Sequence, residues 1–485
     1  MAFVSSNLTS GFIDLATFDE LEKYMYGGPK AITYMVRETK KSTWFTQVPT
    51  VLSRSNGTPD FGQEWGSYIT RAGDYLLSTW IRLDLSSVTF LAGGGATGLR
   101  WTRNFMHNLI REVQITFNDL QAYRLDSFFL DFWAAFTTPA GKQVGYNTMI
   151  GNTSRLTYPV APGESLPAVT LNLPLPLFFT RDSGVALPTA ALPYNEMRIQ
   201  VWFRDWTELL VVDYANATYP FSTAPSAPAS LANVVSAPSL SNVYIWANYA
   251  IVSNDERKRM GCAPRDILIE QVQTAAPQTF APATNVNPSY DIRFSHAIKV
   301  LFFAIKNVTN RAEHSNYVNT SPLPSVASGV PSINFIPPFP QAADPMLNAS
   351  LVYENTARLT TMGADYYSLV QPWYQPGAVI PTDTGYHMYS YSLDFVGLDP
   401  KGSTNYGKLT NVSIIIQGTA DSQLANQTGV GGGSQTSNFA IQNIPTSAYN
   451  SAWTNWWSQY YQLIPVGVNN NIIRISGGSL GFPVL

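Results

Sequence analysis

The sequence predicts an all-β chain organised as two similar sandwich domains in tandem. Three observations lead there: the length, the run of short strand signals, and one pattern that occurs twice. At 485 residues the chain exceeds the size at which a single hydrophobic core stops growing, so more than one domain is expected. From about residue 42 onward, short runs of β-branched and aromatic residues are separated by Gly, Pro, Asn and Asp, the sequence mark of an all-β fold.

The repeated pattern begins with a histidine before an apolar strand. Met106 to Val113 opens a strand ending at Asn118, and Ser295 to Leu301 opens one ending at Asn307. His107 and His296 therefore sit at matching places and are expected to occupy equivalent positions in two superposable folds. Each copy continues into an aromatic segment, Asp126 to Trp133 and Asp365 to Trp373. Each then leads through loops to an Asn-bearing turn and a strand, Asn195 to Phe203 and Asn405 to Gln417.

Ahead of the strands, one helix is predicted over residues 18–25. Asp14 or Thr17 can cap it, Phe18, Leu21 and Met25 form an apolar stripe, acids occupy its first turn, and Gly27-Gly28 stops it. It reads as an arm that docks on a partner. Strands follow at 43–48, 75–83, 109–117, 170–179 and 197–203. After a Pro/Ala/Ser tract at 220–240, which carries no acid or base and reads as a linker, a second set follows at 243–252, 267–272, 297–305, 386–395, 409–416 and 471–475. The connections at 137–168, 307–348 and 419–447 are too long for hairpins and are expected to be loops that contact partners.

Composition narrows the function. Charged residues make up 13% of the chain, against about 25% in ordinary soluble domains, while aromatics reach 13% and Gly and Pro number 33 each. Such a surface has little charge with which to stay monomeric. A net charge of -3, with basic runs no longer than Lys40-Lys41 and Arg257 to Arg259, gives no electrostatic basis for direct nucleic-acid binding. The single cysteine, Cys262, excludes an intrachain disulfide and points to a reducing compartment. The N-terminus lacks a signal peptide's basic and apolar regions, and the longest apolar run, Val300 to Ile305, is far short of the ~18 residues of a spanning helix. Nine Asn-x-Ser/Thr sites are read as a consequence of composition.

Several segments imitate catalytic motifs and fail on context. Gly93 to Gly98 fits the dinucleotide fingerprint, but Leu99 to Asn104 shows no helical period to face a pyrophosphate. Gly402 to Lys408 comes within one residue of a phosphate loop, yet Leu409 stands where a hydroxyl must bind Mg²⁺ and a strand pattern comes after it. Gly477 to Gly481 resembles a nucleophile elbow around Ser479, with no later histidine to complete a triad. None of the four histidines, His107, His296, His314 and His387, has a metal-ligand neighbour at i+2 to i+4, so no metal, cofactor or catalytic residue is assigned. Acid pairs such as Asp126 with Asp131 or Asp205 with Glu208 keep one alternative open, a carbohydrate-binding or glycoside-hydrolysing protein with two β-sandwich domains.

Longer segments carry a resemblance. Ser10-Gly-Phe-Ile-Asp-Leu-Ala-Thr-Phe18, Trp101-Thr-Arg-Asn-Phe-Met-His-Asn108, the stretch Leu173 to Pro188, Leu192-Pro-Tyr-Asn-Glu196, Gly402-Ser-Thr-Asn405 and the end Ile475 to Leu485 resemble the major capsid proteins of large icosahedral DNA viruses. The iridovirus type is the closer likeness and the marseillevirus type the near alternative. The resemblance implies a double jelly roll, two eight-stranded antiparallel sandwiches, in a homotrimeric capsomer of pseudo-hexagonal outline within a virion shell. It implies an arm at 1–30, a first roll at 31–214, a linker at 215–240 and a second roll at 241–485. The arm would point inward, toward minor capsid proteins and the internal viral membrane. The family has no catalytic residues to transfer. Assembly in the host cytoplasm agrees with the lone cysteine.

Overall fold

In the computed structural model, residues 4–91, 96–214, 229–309, 311–319, 343–426 and 459–481 are described. The first part of the expected linker, the Pro-rich 335–340 and the Gly-rich 429–433 lie outside them. The chain divides into a small unit, Met1–Trp44, and a large one, Phe45–Leu485. Residues 31–44, expected in the first roll, thus fall with the arm.

The arm holds two helices where one was expected. α1 spans Val4–Ala16 and α2 spans Glu20–Tyr26. Thr17 closes α1 by donating from its hydroxyl to the Asp14 carbonyl, while Asp19 caps α2 through the Glu20 N–H at 2.7 Å. The expected cap at Asp14 or Thr17 is therefore corrected to Asp19. Leu8, Phe12 and Leu15 fall at i, i+4 and i+7 on α1 and all are exposed. No helix among the described residues is long and apolar enough to cross a membrane.

In the large unit sixteen strands matter. The first eight are β1 (Phe45–Val51), β2 (Glu64–Tyr68), β3 (Tyr75–Leu85), β4 (Ile110–Phe117), β5 (Leu120–Asp126), β6 (Val169–Pro174), β7 (Met197–Phe203) and β8 (Leu240–Val252). The second eight are β9 (Arg265–Thr274), β10 (Ser289–Asp291), β11 (Ala297–Asn307), β12 (Met346–Tyr353), β13 (Thr356–Gly363), β14 (His387–Ser390), β15 (Val412–Gly418) and β16 (Tyr461–Ser476). The first set forms sheets of order β1-β8-β3-β6 and β2-β7-β4-β5, all antiparallel, with Ser53–Asn56 added at the β2 edge. The second forms β9-β16-β11-β14 and β10-β15-β12-β13. Adding eight to each label converts one pair of sheets into the other, so the two halves are jelly rolls of one topology.

Strand pairing corrects two sequence expectations. β8, expected to open the second roll at 241, pairs with β1 and β3 and completes the first, so the division falls after Val252. The histidine anchor fails as well. His107 precedes β4 whereas His296 precedes β11, and the counterpart of β11 is β3; both of these strands have eleven residues. Several jelly-roll strands are apolar, and apolarity alone does not encode which neighbour a strand pairs with. The other anchors are topologically equivalent. Asp126 and Asp365 both open the helical segment after β5 and β13, and the Asn195 and Asn405 turns lead to β7 and β15. An unrecognised anchor is firmer: β4–β5 and β12–β13 turn through Asn118-Asp119 and Glu354-Asn355, with φ values of 48° and 65°, and 46° and 64°. Positive φ at both central residues is the type I′ hairpin turn, whose twist suits paired strands.

The stretch 137–168, expected as a loop, contains α5 (Ala140–Ile150) after α4 (Ser127–Thr137), which Asp126 caps through the Phe129 N–H at 2.9 Å. Gly141, Gly145 and Asn147 hide α5 by lowering its intrinsic propensity. α4 lies between the rolls. Along β11, Ile298, Leu301, Phe303 and Ile305 enter the core of the second roll, while Val300, Phe302 and Ala304 enter the core shared with the first. Phe302 stacks against Phe132 and Phe136 of α4 at 5.8 and 5.5 Å between centroids. Burial on both faces explains the continuous apolar run Val300 to Ile305 in an antiparallel sheet, where alternation is usual.

Candidate functional site

Three of the ionisable groups noticed in the sequence, His107, Asp131 and His314, meet at the seam between the rolls. α3 (Phe105–Leu109), α4 and α5 come from the first roll; residues 312–319, after β11, come from the second. Asp131 is the hub. Its Oδ1 accepts from His107 Nδ1 at 2.8 Å and Asn104 Nδ2 at 3.1 Å, and its Oδ2 accepts from Ser315 at 2.6 Å and Tyr317 at 2.9 Å. Two donors thus come from each roll. Tyr146 donates to His107 Nε2 at 2.6 Å, which fixes the ring with its proton on Nδ1, and Asn108 donates to Ser315 at 2.8 Å. Burial pushes the Asp131 carboxyl up, but the hydrogen bonds from His107, Ser315 and Tyr317 outweigh it and hold Asp131 below the usual range.

Four ion pairs flank the hub. Arg100 meets Glu313 at 3.3 Å with both side chains buried, and Arg103 meets Asp383 at 2.6 Å. Glu270 of β9 takes Lys299 of β11 on one oxygen and Arg181 of the first roll on the other, the latter at 2.9 Å. The Arg181 guanidinium lies 3.4 Å from the centroid of the Trp133 ring on α4. His314 completes the set: its Nε2 donates to the Glu208 carbonyl at 2.9 Å, and its Nδ1 faces Lys306 Nζ at 3.3 Å. Burial, then the charges of Lys306 and Arg204, push His314 well below its ordinary value, and burial with Arg204 brings Lys306 down to about 8.

These contacts reassign the residues singled out in the sequence. Asp126 caps α4, and burial raises its carboxyl despite bonds from Phe129 N–H and Thr274. Asp131 takes donors from both rolls. Asp205 caps a short turn through Thr207, and Glu208 contributes its carbonyl to His314. His387 binds Asp344 at 2.6 Å within the second roll, while His296, at φ 63°, sits partly exposed before β11. Ser479 lies in a two-residue hairpin with Ser476, and Tyr406–Lys408 forms a single 3-10 turn before β15. Gly93, Gly94 and Gly95 fall outside the described residues, and the next element is the strand Ala96–Trp101 where a nucleotide site needs a helix. No group of three or more His, Cys, Asp or Glu among the described residues could hold a metal ion. Sequence reasoning missed Arg100, Glu313, Ser315 and Tyr317 in the seam. Only a charge or hydroxyl inside an otherwise apolar stretch could have flagged them.

Two complete jelly rolls joined by a buried, charge-laced seam define a double jelly-roll structural protein. A family model described as "Major capsid protein N-terminus" matches residues 33–252, and one described as "Large eukaryotic DNA virus major capsid protein" matches 256–481. The chain belongs to the major capsid proteins of large eukaryotic DNA viruses, of the iridovirus type, and is a structural component of the virion shell. It is 58% identical to the major capsid protein of Costelytra zealandica iridescent virus over 100% of both chains. It is 46% identical to that of Lymphocystis disease virus 1 over 99% of each. In fold it is similar to a chain of the PBCV-1 virus capsid, with a TM-score of 0.69 at 20% identity, covering 93% of this chain and 100% of that one. The Faustovirus major capsid protein gives a TM-score of 0.62 at 11% identity, covering 94% of each.

Replacing Asp131 with Asn puts an amide N–H₂ against groups that are all donors. Asp131→Asn is expected to destabilise the Phe45–Leu485 unit by about 2–4 kcal/mol in chemical denaturation, against less than ~0.5 for an exposed control substitution. His314 supplies a pH signature. Its folded pKa lies below the unfolded 6.5, so the neutral form's stability is complete above that pH. As pH falls below 6.5 the unfolded chain takes the proton first, and stability is lost at up to ~1.4 kcal/mol per pH unit. Subtracting a His314→Gln variant from the parent should isolate this slope between about pH 6.5 and 5; parallel curves would contradict it.

Proposed function

We propose that three copies of this chain form a homotrimeric capsomer of pseudo-hexagonal outline, which tiles the shell beside neighbouring capsomers. The observation that carries this reading is the equivalence of the two rolls, which share strand order and turn type and lie side by side in one unit. Three such chains supply six nearly equal blocks, and closed threefold symmetry then approximates sixfold contacts from one gene product. A surface with few charges and many exposed apolar groups suits broad subunit contacts.

The reading extends to partners. The exposed apolar stripe of α1 and α2 fits an arm that engages minor capsid proteins and the internal viral membrane beneath the shell. The arm is too weakly basic to favour nucleic acid, since neutralising phosphates needs clustered Lys and Arg. The protein acts as structure and not as an enzyme, without a cofactor: Asp131, Glu270 and Glu313 of the seam are engaged by donors and cations that join the rolls. Assembly takes place in the host cytoplasm, in keeping with a chain that has one cysteine and no disulfide.

Native mass measurement tests the capsomer directly. The expected species has three times the 53.4 kDa chain mass and survives dilution, whereas a stable monomer would remove the reading. For the arm, deletion of residues 1–27 should leave the trimer intact while lowering the yield of closed shells; loss of the trimer would place the arm in the capsomer contact instead.

A further inference from the structure

The seam inside one chain has a counterpart that the chain leaves open. In the second roll, the outer face of the β9-β16-β11-β14 sheet carries a cross-strand row of Thr274, Val466, Phe302 and Met388. Val466, Phe302 and Met388 have no exposed surface, and Phe302 lies under Phe132 and Phe136 of α4. The first roll presents the matching row. Trp80 holds the sixth place in β3 that Phe302 holds in β11, and the row across reads Val51, Trp246, Trp80 and Pro174. The two indoles stack at 6.1 Å with planes 10° apart. Unlike Phe302 they stay partly exposed, and Val51 is 40% exposed.

The second roll likewise has its own version of the element that covers Phe302. Residues 366–374 come after β13 as α4 comes after β5. α4 buries Phe129, Leu130, Phe132 and Phe136 at the seam. Its counterpart buries Tyr367 and Pro372 but leaves Trp373 73% and Tyr374 76% exposed, with Leu369 and Val370 beside them. The chain therefore holds one satisfied pair of helical segment and sheet row, and one unsatisfied pair with its two halves on different rolls.

We infer that residues 369–374 of one chain dock on the Trp80–Trp246 face of the next copy, in the relation that α4 bears to Phe302. The relation is used once within each chain and once between chains, so three copies close a ring of six rolls. A second copy is the occupant because the complementary face already exists on the same chain and because the internal seam shows how the two shapes meet. Trp and Tyr at the centre of a contact are the side chains that carry most of its energy. The inference rests on the trimer reading and names its contact.

The test uses the full chain with Cys262 replaced by Ser. A Ser78→Cys/Pro376→Cys variant, which keeps Trp373 and Tyr374, should give covalent dimers and trimers on a denaturing gel when treated with a short bis-maleimide, and either single-cysteine chain should not. Separately, a Trp373→Ala/Tyr374→Ala variant should dissociate at concentrations more than about 30-fold above those of the parent. Its melting as an isolated chain should be unchanged, because both side chains are largely exposed. A native-mass trimer without the cross-link, or unweakened by the alanines, overturns the docking site and leaves the trimer standing. A parent chain that is monomeric overturns the trimer itself. A cross-link that forms only after another virion protein is added assigns the face to that protein and overturns the inference.

Discussion

Strand β11 is buried on both faces, and the rest of the large unit is arranged around that requirement. A strand in a free-standing sandwich has one face in the core and one in water. Here Phe303 and Ile305 fill the second roll while Phe302 and Ala304, their neighbours in sequence, need a cover from outside it. The cover is α4, whose Phe132 and Phe136 stack on Phe302, and β8 completes the first roll before the chain enters the second. The two rolls thus share one continuous apolar cluster and form one structural body. Interfaces between domains are usually smaller and more polar.

Apolar contact alone would not fix how the rolls sit, since greasy faces slide. The buried charges supply the register. Asp131 needs two donors from each roll at once, and Glu270 holds cations from both sides of the seam. Buried ion pairs contribute little net stability, because desolvation offsets their attraction, yet a misaligned pair leaves an unpaired buried charge that costs several kcal/mol. The seam is therefore specific in position as well as adhesive.

The composition has a matching explanation. A chain with 13% charged residues is unusual as a soluble monomer, but its apolar surface is distributed with purpose. The arm carries one stripe, the outer face of the first roll carries the paired indoles, and the second roll carries Trp373 and Tyr374. The same kinds of aromatic residue that fill the sandwiches are thus also left exposed or partly exposed at these places.

The sequence by itself determined the all-β class, the division into two related halves, the early helical arm and the family, because these depend on local periodicity, turn residues and long matching segments. It also brought His107 and Asp131 to notice, without showing that they bond to each other. It could not determine the partner of each strand. Ile110–Phe117 and Ala297–Asn307 look alike as apolar strands after a histidine, yet they occupy different places in their rolls. It could not place β8, since a strand at the end of a Pro/Ala/Ser tract is equally consistent with the start of one domain or the close of another. Nor could it see α5 behind its glycines, or the meeting of Asp131 with Ser315 and Tyr317 across more than 180 residues. Those were decided by tertiary structure, because pairing, burial and the satisfaction of buried charge are properties of distances in space, and a sequence records only distances along the chain.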